Sequence, residues 1–222
     1  MIQKFPNIKT IVQNINIKEN NAILGDKNIK LYGNGYIKDF LGNYKFNISP
    51  LSFYQVNSLQ TEKLYTKAIE LANINKKDIV FDLYSGIGTI SLFLSKYAKK
   101  VYGVEVIEEA VKDAKNNARI NNVNNTNFLF GKVEKILPKM YRSGTIPNVV
   151  FVDPPRIGLD RDTIKTLLEI VPEKIIYISC NPESLADNLD ILKEKYEIGN
   201  VQPFDMFPFT NHVECVCVLE CK

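Results

Sequence analysis

Cys180, Asp153, Glu214, Asp82 and Glu105 are the residues of this chain that could do chemistry, because each stands at one end of an apolar run. Lys174-Ile175-Ile176-Tyr177-Ile178-Ser179 leads directly into Cys180, and Asn181-Pro182-Glu183 then has the signature of a helix start. A thiol at a helix N-terminus has its thiolate favoured by free N–H groups and the helix dipole, which makes Cys180 a candidate nucleophile. The competing reading is a small buried hydrophobe that ends a strand. Val149-Val150-Phe151-Val152 delivers Asp153 into Pro154-Pro155-Arg156. The two prolines fix the backbone and remove two donors, so this loop is stiff and holds Asp153 and Arg156 in place. Ordinary strands also end this way. Glu214 lies near the start of the last strand-like run, Asn211-His212-Val213-Glu214-Cys215-Val216-Cys217-Val218, where a carboxylate could serve as acid or base. His212 is the single histidine, and it reads equally well as a turn residue.

A second group points to a ligand. Ile79-Val80-Phe81-Asp82-Leu83-Tyr84-Ser85-Gly86-Ile87-Gly88-Thr89 reads as strand, tight loop and helix, with Gly86 free of the Cβ that would block a close ligand. The dinucleotide fingerprint is not met. Gly86-Ile87-Gly88-Thr89-Ile90-Ser91 ends in serine, and Asp82 would face a pyrophosphate with like charge. The next strand, Val101-Tyr102-Gly103-Val104-Glu105, ends in an acid 17 positions after Gly88, near where a ribose-binding carboxylate belongs. Two acids on adjacent strand ends suit S-adenosyl-L-methionine, which carries an amino group, a sulfonium and a ribose but no phosphate. The alternative is an ordinary glycine-rich turn between strand and helix.

The elements that must position these residues follow from periodicity. From residue 78 onward strands and helices alternate, with strands expected at 79–84, 101–105, 126–130, 148–153, 174–179, 197–205 and 212–220. This pattern calls for an α/β fold, a Rossmann-like, mostly parallel sheet with helices on both faces. Only roughly six residues separate the last two strands, too few for a parallel crossover, so the last strand should run antiparallel. Its start then lies at the same sheet edge as the ends of its parallel neighbours, within reach of Cys180. A helix is expected over about 58–73, with Leu64, Ala68 and Leu71 on one face. Before it, residues 14–18, 28–31 and 44–48 alternate polar with apolar, and Gly42-Asn43 signals a hairpin. The expected division is a small β-rich subdomain, 1–52, and a larger domain, 53–222. The small part is too short to bury a core alone and should lean on its neighbour or on a segment upstream, the chain being readable as a fragment.

Composition narrows the class further. The 45% hydrophobic content is that of a globular protein, and no apolar run approaches the roughly 18 residues of a membrane helix. Met1-Ile2-Gln3-Lys4-Phe5-Pro6 lacks the apolar core of a signal peptide, so the expected location is the cytoplasm. The four cysteines, at 180, 215, 217 and 221, have no Cys-x-x-Cys spacing; reduced thiols and no metal site are expected, with the last three as sheet packing. With 28 basic against 25 acidic side chains, the net charge of +3 permits nucleic-acid binding without demanding it.

Taken in order, Phe53-Tyr54-Gln55-Val56-Asn57, Asp82-Leu83-Tyr84-Ser85-Gly86-Ile87-Gly88, Asp153-Pro154-Pro155-Arg156, Ser179-Cys180-Asn181-Pro182 and His212-Val213-Glu214 resemble the RNA uracil-C5 methyltransferases (RumA/TrmA type) of bacterial ribosomal and transfer RNA. Residues 1–50 resemble that family's central domain. An upstream oligonucleotide-binding barrel (TRAM domain) and the cysteine cluster that holds an iron–sulfur centre in some members are both missing from the sequence. The resemblance implies a class I methyltransferase fold and S-adenosyl-L-methionine as cofactor. It makes Cys180 the nucleophile that adds to uracil C6, and Glu214 the base that removes the C5 proton. It makes Gln55, Tyr84, Glu105 and Asp153 cofactor residues, beside Asp82 and Gly86 of the glycine turn. Thr89 stands where some relatives have asparagine. The implied partner is RNA, ribosomal rather than transfer RNA, with the uracil in an unpaired loop, and the implied state is a monomer. A different adenosylmethionine-dependent methyltransferase, or an RNA-binding module without turnover, fits the same fold.

Overall fold

The computed structural model describes residues 2–17, 23–25 and 27–222. Thr10–Ile15 (β1) pairs antiparallel with Lys27–Gly33 (β2), and Ile37–Leu41 (β3) with Tyr44–Ile48 (β4), as two separate two-stranded sheets. The first strand lies earlier than the expected 14–18. Its pairing starts in the β-branched run Thr10-Ile11-Val12, while Asn14 turns its side chain to Gly25, accepting from the N–H and donating to the carbonyl, both at 2.8 Å. Asn16 and Ile17 follow the strand, and Lys18 lies outside the described residues. Strand β3 is not legible in the alternation because only Leu41 of its residues is buried. Gly42-Asn43 makes the hairpin turn, with Gly42 at a φ of +54°.

Asn57 then caps Ser58–Ala72 (α1), its side chain accepting from the Gln60 N–H. There follow Ile79–Leu83 (β5), Thr89–Ser95 (α2), Lys100–Glu105 (β6), Glu108–Ile120 (α3), Thr126–Phe130 (β7), Val133–Arg142 (α4), Val149–Val152 (β8), Arg161–Ile170 (α5), Lys174–Ser179 (β9), Pro182–Leu192 (α6), Tyr196–Phe204 (β10) and Glu214–Cys221 (β11). Strands β5 to β11 form one sheet in the order β10-β11-β9-β8-β5-β6-β7. Its members are parallel except β11, which runs antiparallel between β9 and β10 as the short final loop requires. From β5 the chain first builds outward through β6 and β7, then returns to add β8 and β9 on the other side. The crevice of such a sheet lies where that direction reverses, beyond the ends of β5 and β8.

Period-two alternation sorts the strand residues between two cores. Val80, Val101, Val149, Phe151, Ile176 and Val216 pack with α1, α2 and α3, while Phe81, Val104, Val150, Ile175, Tyr177 and Leu219 pack with α4, α5 and α6. Leu41, Phe46 and Ile48 of the β3–β4 hairpin join the first of these cores. Among the described residues no helix is long and apolar enough to cross a membrane.

Polar side chains of α3 hold the hairpin in place. Asn117, fully buried, accepts from the Asn47 N–H at 2.8 Å and donates to the carbonyls of Asn47 and Ile87, each at 3.2 Å. Asn121 accepts from the Lys45 N–H at 2.9 Å and donates to its carbonyl at 2.7 Å. Asp113 accepts from the Ser49 N–H and the Ser52 hydroxyl, both at 3.0 Å. Spaced four apart, the three side chains lie on one helix face and do for the free edge of β4 what a neighbouring strand would do. Asn117→Ala should therefore destabilise the protein by about 2–4 kcal/mol, since each buried group left unpaired costs roughly 1–3 kcal/mol. Urea unfolding that shows a loss below about 0.5 kcal/mol, the size of an ordinary surface substitution, would contradict this.

Candidate active site

The turn after β5 is built to leave space. Tyr84 takes a left-handed φ of +69°, a conformation that costs a non-glycine residue roughly 1–3 kcal/mol, and the Ser85 N–H then reaches the Val104 carbonyl at 2.9 Å. Gly86 and Gly88 also have positive φ, for different reasons. A Cβ on Gly86 would meet nothing within 4 Å, so its backbone borders open space, whereas one on Gly88 would press 2.8 Å from the Phe128 ring. Glu105 is fixed by the Gly86 N–H, 3.0 Å from Oε2, and the Ile107 N–H, 2.7 Å from Oε1. Each oxygen keeps a second lone pair for a ligand hydroxyl.

Beneath the turn, Asp82 is fully buried. Its Oδ2 accepts from the Ser91 hydroxyl at 2.5 Å, while Oδ1 has no partner. Burial first, and the charge of Glu105 in addition, push its pKa up to about 7 against the pull of Ser91. Ser85 Oγ and Gln55 Oε1 are likewise buried and unpartnered. A cleft of about 290 Å³ opens at Tyr84 and the end of β6, lined also by Val104, Val106, Val133, Pro155 and Asp160 among others. Unpaired acceptors near an open glycine backbone, with an apolar slot alongside, fit a ligand that has donor groups, positive charge and a flat ring.

The second half of the site is made by strand register. Cys215 of β11 stands opposite Ser179 of β9, so continuing the ladder by one residue sets Glu214 across from Cys180. Residues directly opposite point to the same face with Cβ atoms about 4.5–5.5 Å apart. Glu214 is buried, its Oε2 has no partner, and burial raises its pKa against the opposing pull of Arg156. Asp153, partly buried, is pushed up to about 8 by burial and by the charges of Glu214 and Asp82.

Cys180 departs from the sequence expectation in one respect. Its thiol pKa is raised, by burial first and then by Glu214 and Asp153, with Arg156 opposing. The helix that follows is capped by Asn181, its side chain accepting from the Glu183 N–H at 3.1 Å. Burial and the neighbouring carboxyls thus oppose ionisation of the Cys180 thiol.

Four rim loops are tied together around this centre. Arg156 donates through Nη2 to His212, 2.9 Å from Nδ1, and its carbonyl accepts from the Asn181 side chain at 3.0 Å. The Asn57 side chain donates to the Met206 carbonyl at 2.9 Å. Of the residues singled out from sequence, Cys180, Glu214 and Asp153 gather at one end, and Asp82, Tyr84, Gly86 and Glu105 at the other. Gln55 sits half-buried in the loop before α1. Cys215 and Cys217 are buried in the sheet, but Cys221 is exposed rather than packed. Periodicity also missed Ser91 and Tyr65; Tyr65 is buried on α1, and its hydroxyl lies 3.2 Å from that of Thr89. The charges of Asp153 and Asp82 reach it, yet in sequence it is one more residue on an apolar helix face. Arg156 was visible in Asp-Pro-Pro-Arg, though not as the counter-charge of both Cys180 and Glu214.

Comparison with known proteins gives the family of the chain. The family model for tRNA (uracil-5-)-methyltransferases matches residues 33–222. An RNA methyltransferase of Oceanobacillus iheyensis, itself described as uncharacterized, is 52% identical over 223 residues, covering 100% of this chain and 49% of the relative. One from Enterococcus faecalis is 50% identical over 220 residues, covering 99% and 48%. The chain thus spans about half the length of the curated relatives it matches. Among solved structures, the Pyrococcus abyssi tRNA (uracil-54, C5)-methyltransferase, in complex with S-adenosyl-L-homocysteine, superposes with a TM-score of 0.80 at 31% identity, covering 99% of this chain and 53% of that one. A putative methyltransferase from Streptococcus mutans shares the fold, with a TM-score of 0.68 at 14% identity over 98% of this chain and 63% of its own. The sheet is thus the class I methyltransferase sheet.

Two outcomes follow from the charges in the site. Alkylation of Cys180 by iodoacetamide, resolved from Cys221 by peptide mass spectrometry, should have a pH midpoint above the roughly 8.5 of a solvated thiol. Glu214→Gln should lower that midpoint and Arg156→Ala should raise it; a wild-type midpoint below 8 would show that the helix dipole prevails after all. Asp82, whose folded pKa of about 7 exceeds an unfolded value near 4, holds its proton longer in the folded state, so its contribution to stability falls as pH rises from about 4 to 7 and is level above. Asp82→Asn should accordingly gain stability relative to wild type between pH 5 and pH 8. An identical difference in urea midpoint at both values would refute the buried, shifted carboxyl.

Proposed function

The chain belongs to the tRNA (uracil-5-)-methyltransferase family, and from that premise we propose that it methylates C5 of an unpaired uracil in RNA through a covalent bond from Cys180 to C6. The observation that carries this reading is that the β9–β11 register, continued by one step, faces Cys180 with buried Glu214, whose charge and that of Asp153 act on the thiol. Uracil C5 is a poor nucleophile. The Cys180 thiol first gives its proton to solvent, and addition of the resulting thiolate at C6 moves electron density onto C5 and O4 as an enolate, which can then attack an electrophile. S-adenosyl-L-methionine supplies that electrophile, a methyl group on a sulfonium.

The residues that would hold the cofactor fit its chemistry. Glu105 has lone pairs for the ribose hydroxyls, the apolar slot beside Tyr84 suits adenine, and unpartnered Asp82 Oδ1 and Gln55 Oε1 suit the amino acid end, with Gly86 giving the backbone approach. Asp153 joins the two halves of the site.

Once C5 carries both hydrogen and methyl, Glu214 takes the C5 proton. The electrons of that C–H bond re-form the C5–C6 double bond, and Cys180 leaves as thiolate. The raised pKa of Glu214 makes its carboxylate a stronger acceptor for this proton. A uracil must leave its stack to reach a thiol set this far into a crevice, which favours a loop or unpaired region. We assign RNA contact to residues 1–52 and catalysis to 53–222 of a cytoplasmic monomer. Ribosomal RNA is the substrate class expected from the sequence, and transfer RNA, named by the family and by the archaeal neighbour, is assayed beside it.

The decisive experiment separates the two sides of methyl transfer. With radiolabelled adenosylmethionine and unmodified RNA, Glu214→Gln should accumulate a methylated covalent complex, seen as a retarded labelled band in denaturing electrophoresis. Cys180→Ala should give neither band nor product while binding the cofactor nearly as wild type does. Normal turnover by the glutamine variant, or an adduct formed by the alanine variant, would sink the assignment.

A further inference from the structure

We propose that Phe209 is a stacking platform for a nucleobase beside the target uracil, a reading that rests on the uracil methylation proposed above. Phe209 is 109% exposed, the extreme among the large apolar side chains of the described residues, and it sits at a φ of +70°. The Thr210 N–H reaches the Phe207 carbonyl at 3.2 Å, closing a turn with Pro208 and Phe209 at its centre. Proline followed by a residue of positive φ is the type II pattern, whose second central position is normally glycine. A phenylalanine there is unfavourable twice, in backbone conformation and in exposed apolar area, and no contact inside the fold offsets either.

The turn that presents Phe209 is fixed. The Thr210 hydroxyl donates to the Phe207 carbonyl at 2.7 Å, and the His212 N–H donates to that hydroxyl at 3.2 Å. Phe207 packs against the core and meets His212 edge-on with ring centres 6.5 Å apart. His212 is bonded to Arg156, and Met206 to Asn57, so Phe209 is rigidly referenced to the loops that carry Arg156 and Gln55 and to Glu214 just downstream. Phe53, 72% exposed, projects from the Asn57 loop.

A base drawn out of its stack leaves its neighbours with uncovered faces. A rigid aromatic ring on the rim of the crevice offers a replacement surface for one of them and accepts any base. Glycine would suit the turn better but would supply no ring.

The test uses transcripts of ribosomal and transfer RNA made with 5-fluorouridine, which trap the thiol because fluorine cannot leave C5 as a proton does. The half-saturating RNA concentration for adduct formation is measured with adenosylmethionine present. Phe209→Tyr should stay within about twofold of wild type, whereas Phe209→Leu and Phe209→Gly should need roughly five- to a hundredfold more RNA. Cofactor affinity should not change in any variant, and Phe209→Gly should melt at a higher temperature than wild type. If wild type forms adducts but the leucine or glycine variant saturates as wild type does, stacking is refuted and the uracil reading stands. If the variants lose RNA binding, cofactor binding and thermal stability together, Phe209 is a structural residue and the proposal fails. If wild type forms no adduct with either RNA, both readings fall.

Discussion

Three carboxyl groups, Asp82, Asp153 and Glu214, share one desolvated crevice, and the rest of the molecule is arranged around the cost of keeping them there. Each raises the pKa of a neighbour, Asp82 and Glu214 acting on Asp153, and Glu214 and Asp153 acting on Cys180. Burial is nevertheless the largest cause in every case, so the shifts come mainly from the absence of water and only then from like charge. A cation entering this space meets carboxyls whose ionisation it favours. Arg156 is the protein's own counter-charge, and because it stands on the rim the balance can be altered by whatever enters the crevice.

Keeping such a crevice open requires loops that do not collapse into it, and asparagine side chains do much of that work. Asn57 ties the loop before α1 to the one before β11, Asn181 ties the end of β9 to the loop after β8, and Asn117 and Asn121 hold the hairpin on α3. Buried Asn188 accepts from the Tyr177 hydroxyl and the Leu159 N–H, both at 2.7 Å, and so anchors the far side of the Asp-Pro-Pro loop. A primary amide is short and carries donors and an acceptor, so it can satisfy backbone that no strand reaches. Tyr84 and Phe209, both at positive φ, are the places where this framework holds a conformation the residue itself disfavours. They stand at the cofactor turn and at the rim.

The legible part of the fold was whatever is written in local periodicity. The seven strands of the large sheet lie within about two residues of where alternation puts them, and the antiparallel last strand followed from a loop too short to cross the sheet. Strand β1 was misplaced and β3 missed because β1 has no buried residue and β3 only Leu41, so no core face imposes the alternation along them. The site residues were found because strand ends are punctuated, by glycine after Asp82, by proline after Asp153 and by a helix start after Cys180. Tyr65 and Ser91 carry no such punctuation.

What the sequence determined by itself was therefore which residues stand at the sheet edge and, through five spaced motifs, which family they resemble. Only the tertiary structure decided how they act on one another. The facing of Cys180 and Glu214 depends on the β9–β11 register, which no single stretch encodes. For Cys180 the helix start that favours the thiolate is a local feature, while the burial and the carboxylates that oppose ionisation arrive from elsewhere in the chain. Electrostatic energy depends on distance and on exclusion of water, and both exist only once the chain has folded.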